Sequence, residues 1–234
     1  MIDENAQSDL YLKQGDGRKR PVKKLQSNVE HKTLGCWMNP IVVQCKAYDQ
    51  IRMFILNWKN GILHSSLPPH LVKQSYETEL RSQIRYRMPI YRFDDKQCNT
   101  LMKIISPVLL HANYINKNYP RSLMQANSQY GGLGITHIYD VMGIEKLKFL
   151  LMHIRRHDTT RDLLHISMQQ TQVECGSEKL FFDLNHDVYG HFTTPTWNTN
   201  LWQYVSSWTI TMDSNLHVQI KNLESMMNSL WTSL

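Results

Sequence analysis

The sequence has little of what would mark an enzyme, a secreted protein or a membrane protein. Its four cysteines, Cys36, Cys45, Cys98 and Cys175, are scattered, with no Cys-x-x-Cys pair. That argues against a zinc ribbon, a thioredoxin-type centre and a disulfide framework, and for reduced thiols. There is no Gly-x-Ser-x-Gly for an esterase elbow, and no Gly-x-Gly-x-x-Gly or Gly-Lys-Ser/Thr for a phosphate-binding turn. Apolar runs such as Leu147 to Ile154 are broken by charge and too short to span a bilayer. The start, Met1-Ile2-Asp3-Glu4-Asn5, is too polar and acidic for a signal peptide. Internal repeats and low-complexity tracts are also missing. These absences predict an intracellular protein, cytoplasmic or nuclear, with no membrane contact, no metal and no cofactor.

What is present suits a folded chain. Of 234 residues, 41% are hydrophobic and 10% aromatic, enough to bury a core as one large domain or two small ones. The formal net charge is +6, which favours polyanion partners without identifying one. The densest basic run is the N-terminal arm, Lys13, Arg18, Lys19, Arg20, Lys23 and Lys24. It suits phosphate contact, nuclear targeting or plain solvation equally.

The pattern predicts a mainly α protein with a short N-terminal β-hairpin/strand region. Leu10 to Leu12 and Arg20 to Leu25 flank the turn signal Gln14-Gly15-Asp16-Gly17, and Lys32 to Met38 reads as a further strand. From about Gln44 to Leu230 the spacing is helical. Cys45, Tyr48, Ile51, Ile55 and Trp58 mark one buried face, with a stop at Asn60-Gly61. Val72, Tyr76, Leu80, Ile84 and Met88 mark the next, between Pro69 and Pro89. Leu101, Ile104, Ile105 and Val108 follow, with Pro107 bending or ending that helix. Helices are then expected from Ile138 to His157, with Val141, Ile144, Leu147, Leu151 and Ile154 inward, and from Arg161 to Cys175, capped by Gly176. After an irregular stretch over 177–196, Trp197, Leu201, Tyr204, Val205 and Trp208 form an aromatic helix face, and Ser214 to Leu230 is weakly amphipathic. The divisions are 1–40 (β region with basic arm), 41–128 (helical) and 129–234 (helical).

Candidate sites are few. Beside the Val72 stripe runs a second one, Lys73, Glu77, Arg81 and Arg85. Glu77 and Arg81 can pair at i,i+4, leaving Lys73, Arg85 and Arg87 free to meet phosphate; a merely solvated face is the alternative. Tyr91-Arg92-Phe93-Asp94-Asp95 invites comparison with the paired aspartates of polymerases. However, Arg92 stands where an aromatic residue belongs, and the pair leads into a helical pattern, so it reads as a helix start. His153 and His157 have metal-ligand spacing, but Arg155 and Arg156 lie between them and argue against a cation.

Two short segments about a hundred residues apart carry a resemblance: His31-Lys32-Thr33-Leu34-Gly35-Cys36-Trp37 and Gln129-Tyr130-Gly131-Gly132-Leu133-Gly134-Ile135-Thr136-His137. With the helical stretch between them and Asn118-Tyr119-Pro120-Arg121, they resemble the region that follows the active site in reverse transcriptases of non-LTR (LINE-type) retroelements. The likeness covers residues 16–157 best. It implies that Leu34 and Gly35 lie in a primer-grip strand with Lys32 near the nucleic-acid backbone, and that Gln44 to Asn113 form a thumb-like bundle. The implied contacts are Lys32, Gly35, Lys73, Arg81, Arg85 and Arg87, and the implied partners are RNA or RNA–DNA duplex and the missing palm and fingers. Fingers, most of the palm and the catalytic aspartates are missing, so the chain is expected to be inactive on its own, as a truncated copy or fragment. The alternative is a helical protein–protein interaction module using Trp197, Trp202 and Trp208, if exposed.

Overall fold

The structure, a computed structural model, describes residues 11–13, 19–21, 30–34, 36–38, 45–156, 158–208, 210–212 and 218–220. The chain is mainly α, with its N-terminal part in short antiparallel hairpins. β1 (Tyr11–Lys13) pairs with β2 (Lys19–Pro21), as the turn signal between them predicts. β3 (His31–Thr33) pairs with β4 (Cys36–Met38), Thr33 opposite Cys36. The expected single strand over 32–38 is therefore a hairpin, with Leu34 in its turn. Leu34 sits there at φ 49, with 85% of its surface exposed, a backbone region that costs a branched residue roughly 1–2 kcal/mol.

α1 (Cys45–Leu63) buries Ala47, Ile51, Ile55 and Trp58. It differs from expectation at both ends. Cys45 is exposed, and the helix continues through Asn60-Gly61 because Ile62 still packs against the core. α2 (Pro69–Ser75), a π-turn (Tyr76–Leu80) and α3 (Arg81–Arg87) form one continuous helix. Pro69 opens it, and the whole predicted stripe from Val72 to Met88 is buried. The π-turn follows from that stripe. Apolar residues at strict four-residue intervals drift by about 40° per step on a 3.6-residue helix. One wider turn offsets part of that drift and helps to keep the stripe on the core.

α4 (Asp95–Ala112) starts at Asp94, whose carboxylate accepts from Gln97 N–H at 2.6 Å while the Gln97 side chain accepts from Asp94 N–H at 3.0 Å, a complete capping box. It buries Leu101, Ile105 and Val108 and continues past Pro107 to Ala112. α5 (Arg121–Gln125) leads into the glycine-rich turn, where Gly131 and Gly134 have φ of 76 and 65. α6 (Ile138–Ile154) is the central helix, packed against α3, α4, α7 (Thr159–Cys175) and α9 (Trp197–Ser207). It buries Val141, Ile144 and Leu147 as predicted. It also buries a second face of Tyr139, Met142, Gly143, Lys146 and Leu150. α7 ends at Gly176, with φ 62. The stretch read as irregular holds two short 3₁₀ turns (Phe181–Asp183 and Gly190–Phe192) and α8 (His186–Tyr189).

The C-terminal expectation changes. β5 (Ile210–Met212) pairs with β6 (Val218–Ile220), so 218–220 is strand rather than helix. The β-branched Ile210, Thr211, Val218 and Ile220 suit that pairing. No helix among the described residues is long and apolar enough to cross a membrane.

Candidate functional site

The two segments that carry the resemblance hang on the same helix. The Tyr86 hydroxyl, on α3, donates to the Leu34 carbonyl at 3.1 Å. The Tyr76 hydroxyl, in the π-turn, donates to the Thr136 carbonyl at 2.9 Å. Burial pushes the Tyr76 phenol up, with Glu77 adding to the shift and Arg81 opposing it, so it stays a donor at any ordinary pH. A third tyrosine, Tyr91, accepts from Trp37 N–H at 3.2 Å and donates to the Gln50 side chain at 3.2 Å. Burial raises its pKa to about 12.

The predicted contact residues divide sharply. Lys32 is exposed on β3, and Lys73 is half-buried on α2. A Cβ added to Gly134 would lie 3.8 Å from the Lys73 ammonium, which therefore stands against the backbone of the glycine turn. Neither lysine has an ion-pair partner among the described residues. Gly35 lies outside the described residues. Arg81 pairs with Glu77, as the i,i+4 spacing predicts. Arg85 and Arg87, expected to be free, are not. The Arg85 guanidinium meets Glu145 of α6 at 2.7 Å. Arg87 lies 4.5 Å over the Phe54 ring and donates to the Gln83 carbonyl at 2.8 Å. The reason is helical geometry. Arg85 shares a face with Arg81 that turns toward α6, whereas Arg87, two residues on, points the opposite way toward α1. Arg85 and Arg87 thus join helices, and a glutamate sixty positions downstream was not legible as the partner of Arg85.

The aspartate pair is structural at both members: Asp94 caps α4, and the Asp95 carboxylate accepts from the Asn99 amide at 2.8 Å. The tryptophans are committed as well. Trp202 is fully buried and donates to the Leu184 carbonyl at 2.9 Å, and Trp197 donates to the Pro89 carbonyl at 2.6 Å. The Trp208 side chain bonds Asp140. His153 contacts Asp158 at 3.3 Å; His157 lies outside the described residues.

Sequence reasoning missed a polar cavity of about 520 Å³ between α4, α5, α6, α8 and α9. Its residues come from five elements, and no motif announces them. At its wall, the Tyr139 N–H donates to His137 Nδ1 at 3.2 Å, so that nitrogen carries no proton. The His137 Nε2–H then donates to the Asn99 amide oxygen at 3.2 Å, completing a chain from Asp95 through Asn99 to His137. Burial lowers the His137 pKa, against the pull of Asp95 and with help from Arg121, and keeps the ring neutral. Asp140 is the opposite case. Burial raises its pKa from 3.8 to about 6, and Asp95 adds to the shift, against the Trp208 hydrogen bond. Because the folded value lies above the unfolded one, Asp140 favours the fold below about pH 4 and loses that advantage as pH rises through about 6. Asp140→Asn should therefore leave stability at pH 4 nearly unchanged and raise it at pH 7 by up to about 3 kcal/mol. Urea unfolding at the two pH values checks this, and an equal effect at both would rule out the titration.

No protein-family model, no curated protein and no solved structure matches the chain.

Proposed function

We propose that the chain is the non-catalytic end-of-palm, thumb and post-thumb portion of a non-LTR retrotransposon reverse transcriptase, holding RNA or RNA–DNA duplex by its phosphate backbone. One observation carries this reading. The segments resembling the primer grip and the post-thumb turn are fixed to one helix by Tyr86 and Tyr76, ten residues and about 15 Å apart along its axis. A helix that spaces two such segments at a set distance is what a thumb needs to span a duplex. The free lysines belong to the same assembly: Lys32 lies on the strand leading to Leu34, and Lys73 stands against Gly134. Engagement of Asp94 and Asp95 in the start of α4 supports a holding rather than a catalytic role. Backbone contacts position a duplex without specifying its sequence.

Fluorescence anisotropy of the purified chain on a labelled RNA–DNA hybrid, across a salt series, tests the proposal. Affinity should fall steeply with salt, and Lys32→Ala and Lys73→Ala should each flatten the slope by about one. Arg85→Ala and Arg87→Ala should lower thermal stability and leave the slope nearly unaltered, since their guanidinium groups hold Glu145 and Phe54. Absence of binding at low salt by a folded chain, or an unchanged slope in the Lys32→Ala/Lys73→Ala double variant, would overturn it.

A further inference from the structure

The outer face of the β3–β4 hairpin gathers groups that duplex holding leaves unused. Lys32 and Trp37 stand directly opposite each other in the hairpin, so their side chains share one face. Cys36, one residue along, points the other way and is buried. From the first turn of α1, the Lys46 ammonium lies 4.9 Å from the centre of the Trp37 ring, over its face. A half-buried indole thus has two exposed lysines beside it. Neither lysine has an ion-pair partner among the described residues. Glu30, the carboxylate nearest to Lys32 in the sequence, is buried and accepts the backbone N–H of Lys46 at 2.9 Å, so it is taken up by the start of α1. The backbone that carries the indole is fixed as well. Trp37 N–H donates to the Tyr91 hydroxyl at 3.2 Å, and that hydroxyl donates in turn to Gln50 of α1.

Two ammonium groups beside one aromatic ring repel each other and attract anions. The ring adds a flat apolar face that a simple anion does not use. Within a duplex the bases are stacked on one another, so its phosphates can meet the lysines but its bases cannot meet the ring. An unpaired nucleotide can meet both. We propose that the outer face of the β3–β4 hairpin binds a single-stranded nucleic-acid segment, with one base stacked on Trp37 and the flanking phosphates on Lys32 and Lys46. Stacking a base on an aromatic ring outweighs an exposed cation–π contact. The arriving base therefore displaces the Lys46 ammonium from the ring, and the neighbouring phosphate receives it. This inference rests on the nucleic-acid reading above and adds a preference to it: a hybrid with an unpaired extension is held more tightly than one without. Every base has a π-face, so the stacked position accepts any of them.

Anisotropy titration of the full chain tests the site with three ligands: a blunt RNA–DNA hybrid, the same hybrid with a short single-stranded extension, and that extension made abasic. The base-bearing extension should bind about tenfold more tightly than the abasic one, which offers the same phosphates. Trp37→Ala should abolish that difference, and Trp37→Phe, which keeps a ring, should retain part of it. Lys46→Ala should flatten the salt slope on the extended hybrid by about 0.7, but not on the blunt one. The comparison of base-bearing and abasic extensions needs no substitution, so it decides the matter even if Trp37→Ala fails to fold. Equal binding of those two extensions, a difference that survives in folded Trp37→Ala, or a slope on the extended hybrid that Lys46→Ala leaves unaltered would each overturn the proposal and leave the duplex reading standing. Tight binding of the base-bearing extension with no binding of the blunt hybrid would support the proposal and overturn the duplex reading alone. No binding of any of the three would overturn both.

Discussion

Replacing Lys146 with methionine should raise the melting temperature by roughly 5–10 °C near pH 7, corresponding to about 2–4 kcal/mol of added stability. Lys146 lies in the middle of α6 with 0% of its surface exposed. Its ammonium donates to the Asn200 side-chain oxygen and lies 5.7 Å from the Trp197 ring. No carboxylate pairs with it among the described residues. Burial drives its pKa well below 10.5, and the neighbouring Arg92 pushes the same way, against Cys98. A charge in that position is costly, and a neutral amine there still leaves donors without partners. Methionine matches the stem in length and flexibility and asks for no hydrogen bond. Asn200 keeps its other bond, to the Phe93 carbonyl at 3.1 Å, and its freed oxygen borders a cavity that water can enter.

The pH dependence separates this account from simple repacking. A lysine whose folded pKa is depressed binds its proton more readily in the unfolded chain. Stability therefore rises with pH between the folded value and about 10.5. The difference between Lys146→Met and the natural chain should be largest near pH 7 and shrink toward pH 9. That window ends before the buried Tyr76, Tyr139 and Tyr204, whose pKa values burial raises, begin to matter in the unfolded chain near pH 10. Chemical denaturation at pH 7, 8 and 9 measures it. A gap that stays constant with pH would show that Lys146 does not titrate in that range. A loss of stability at every pH would show that the Asn200 and Trp197 contacts outweigh the burial cost.

Lys146 also shows where sequence reading stops. In the sequence it stands beside Glu145, outside the stripe Val141, Ile144 and Leu147 that reads as the inward face of α6. In the fold Glu145 turns to Arg85 while Lys146 enters the core, because α6 is surrounded by α3, α4, α7 and α9 and buries a second face. That face, Tyr139, Met142, Gly143, Lys146 and Leu150, has helical spacing, but one lysine and one glycine hide it from an apolar pattern. Faces made wholly of apolar residues were legible: Val72 to Met88, Leu101 to Val108, Leu201 to Val205. So were local signals, including the Asp94-Asp95 helix start, Pro69 and Gly176. The polar cavity was not, because its side chains meet only after five elements have packed, and spacing along one element carries no trace of that meeting. The same limit explains Arg85 and Arg87. Their charge was visible, but Glu145 and Phe54, which occupy them, were not.

Gly143→Ala should be among the most damaging single-methyl additions in this chain. In an exposed helix, alanine is favoured over glycine by about 1 kcal/mol. Here the added Cβ would land 2.3 Å from the Tyr204 ring, where α9 crosses α6. Tyr204 is 1% exposed and packed edge-to-face on Tyr139 at 5.4 Å, so the ring has no room to withdraw. The two helices must separate or Tyr204 must leave its rotamer, with an overpacking cost that typically reaches about 3 kcal/mol. After the gain in helix propensity, a net loss of about 2 kcal/mol or more is expected in urea unfolding. Tyr204→Ala opens a cavity and costs about 3 kcal/mol or more by itself. In the Gly143→Ala/Tyr204→Ala double variant, however, the new methyl group has space, so the combined loss should be smaller than the sum of the two. Tyr204→Phe keeps the ring and should give no such relief. Additive losses in the Gly143→Ala/Tyr204→Ala cycle would mean that the close approach of α6 and α9 does not set the need for glycine at 143. Sub-additive losses would identify that glycine as the reason the two helices can cross with an aromatic ring against bare backbone.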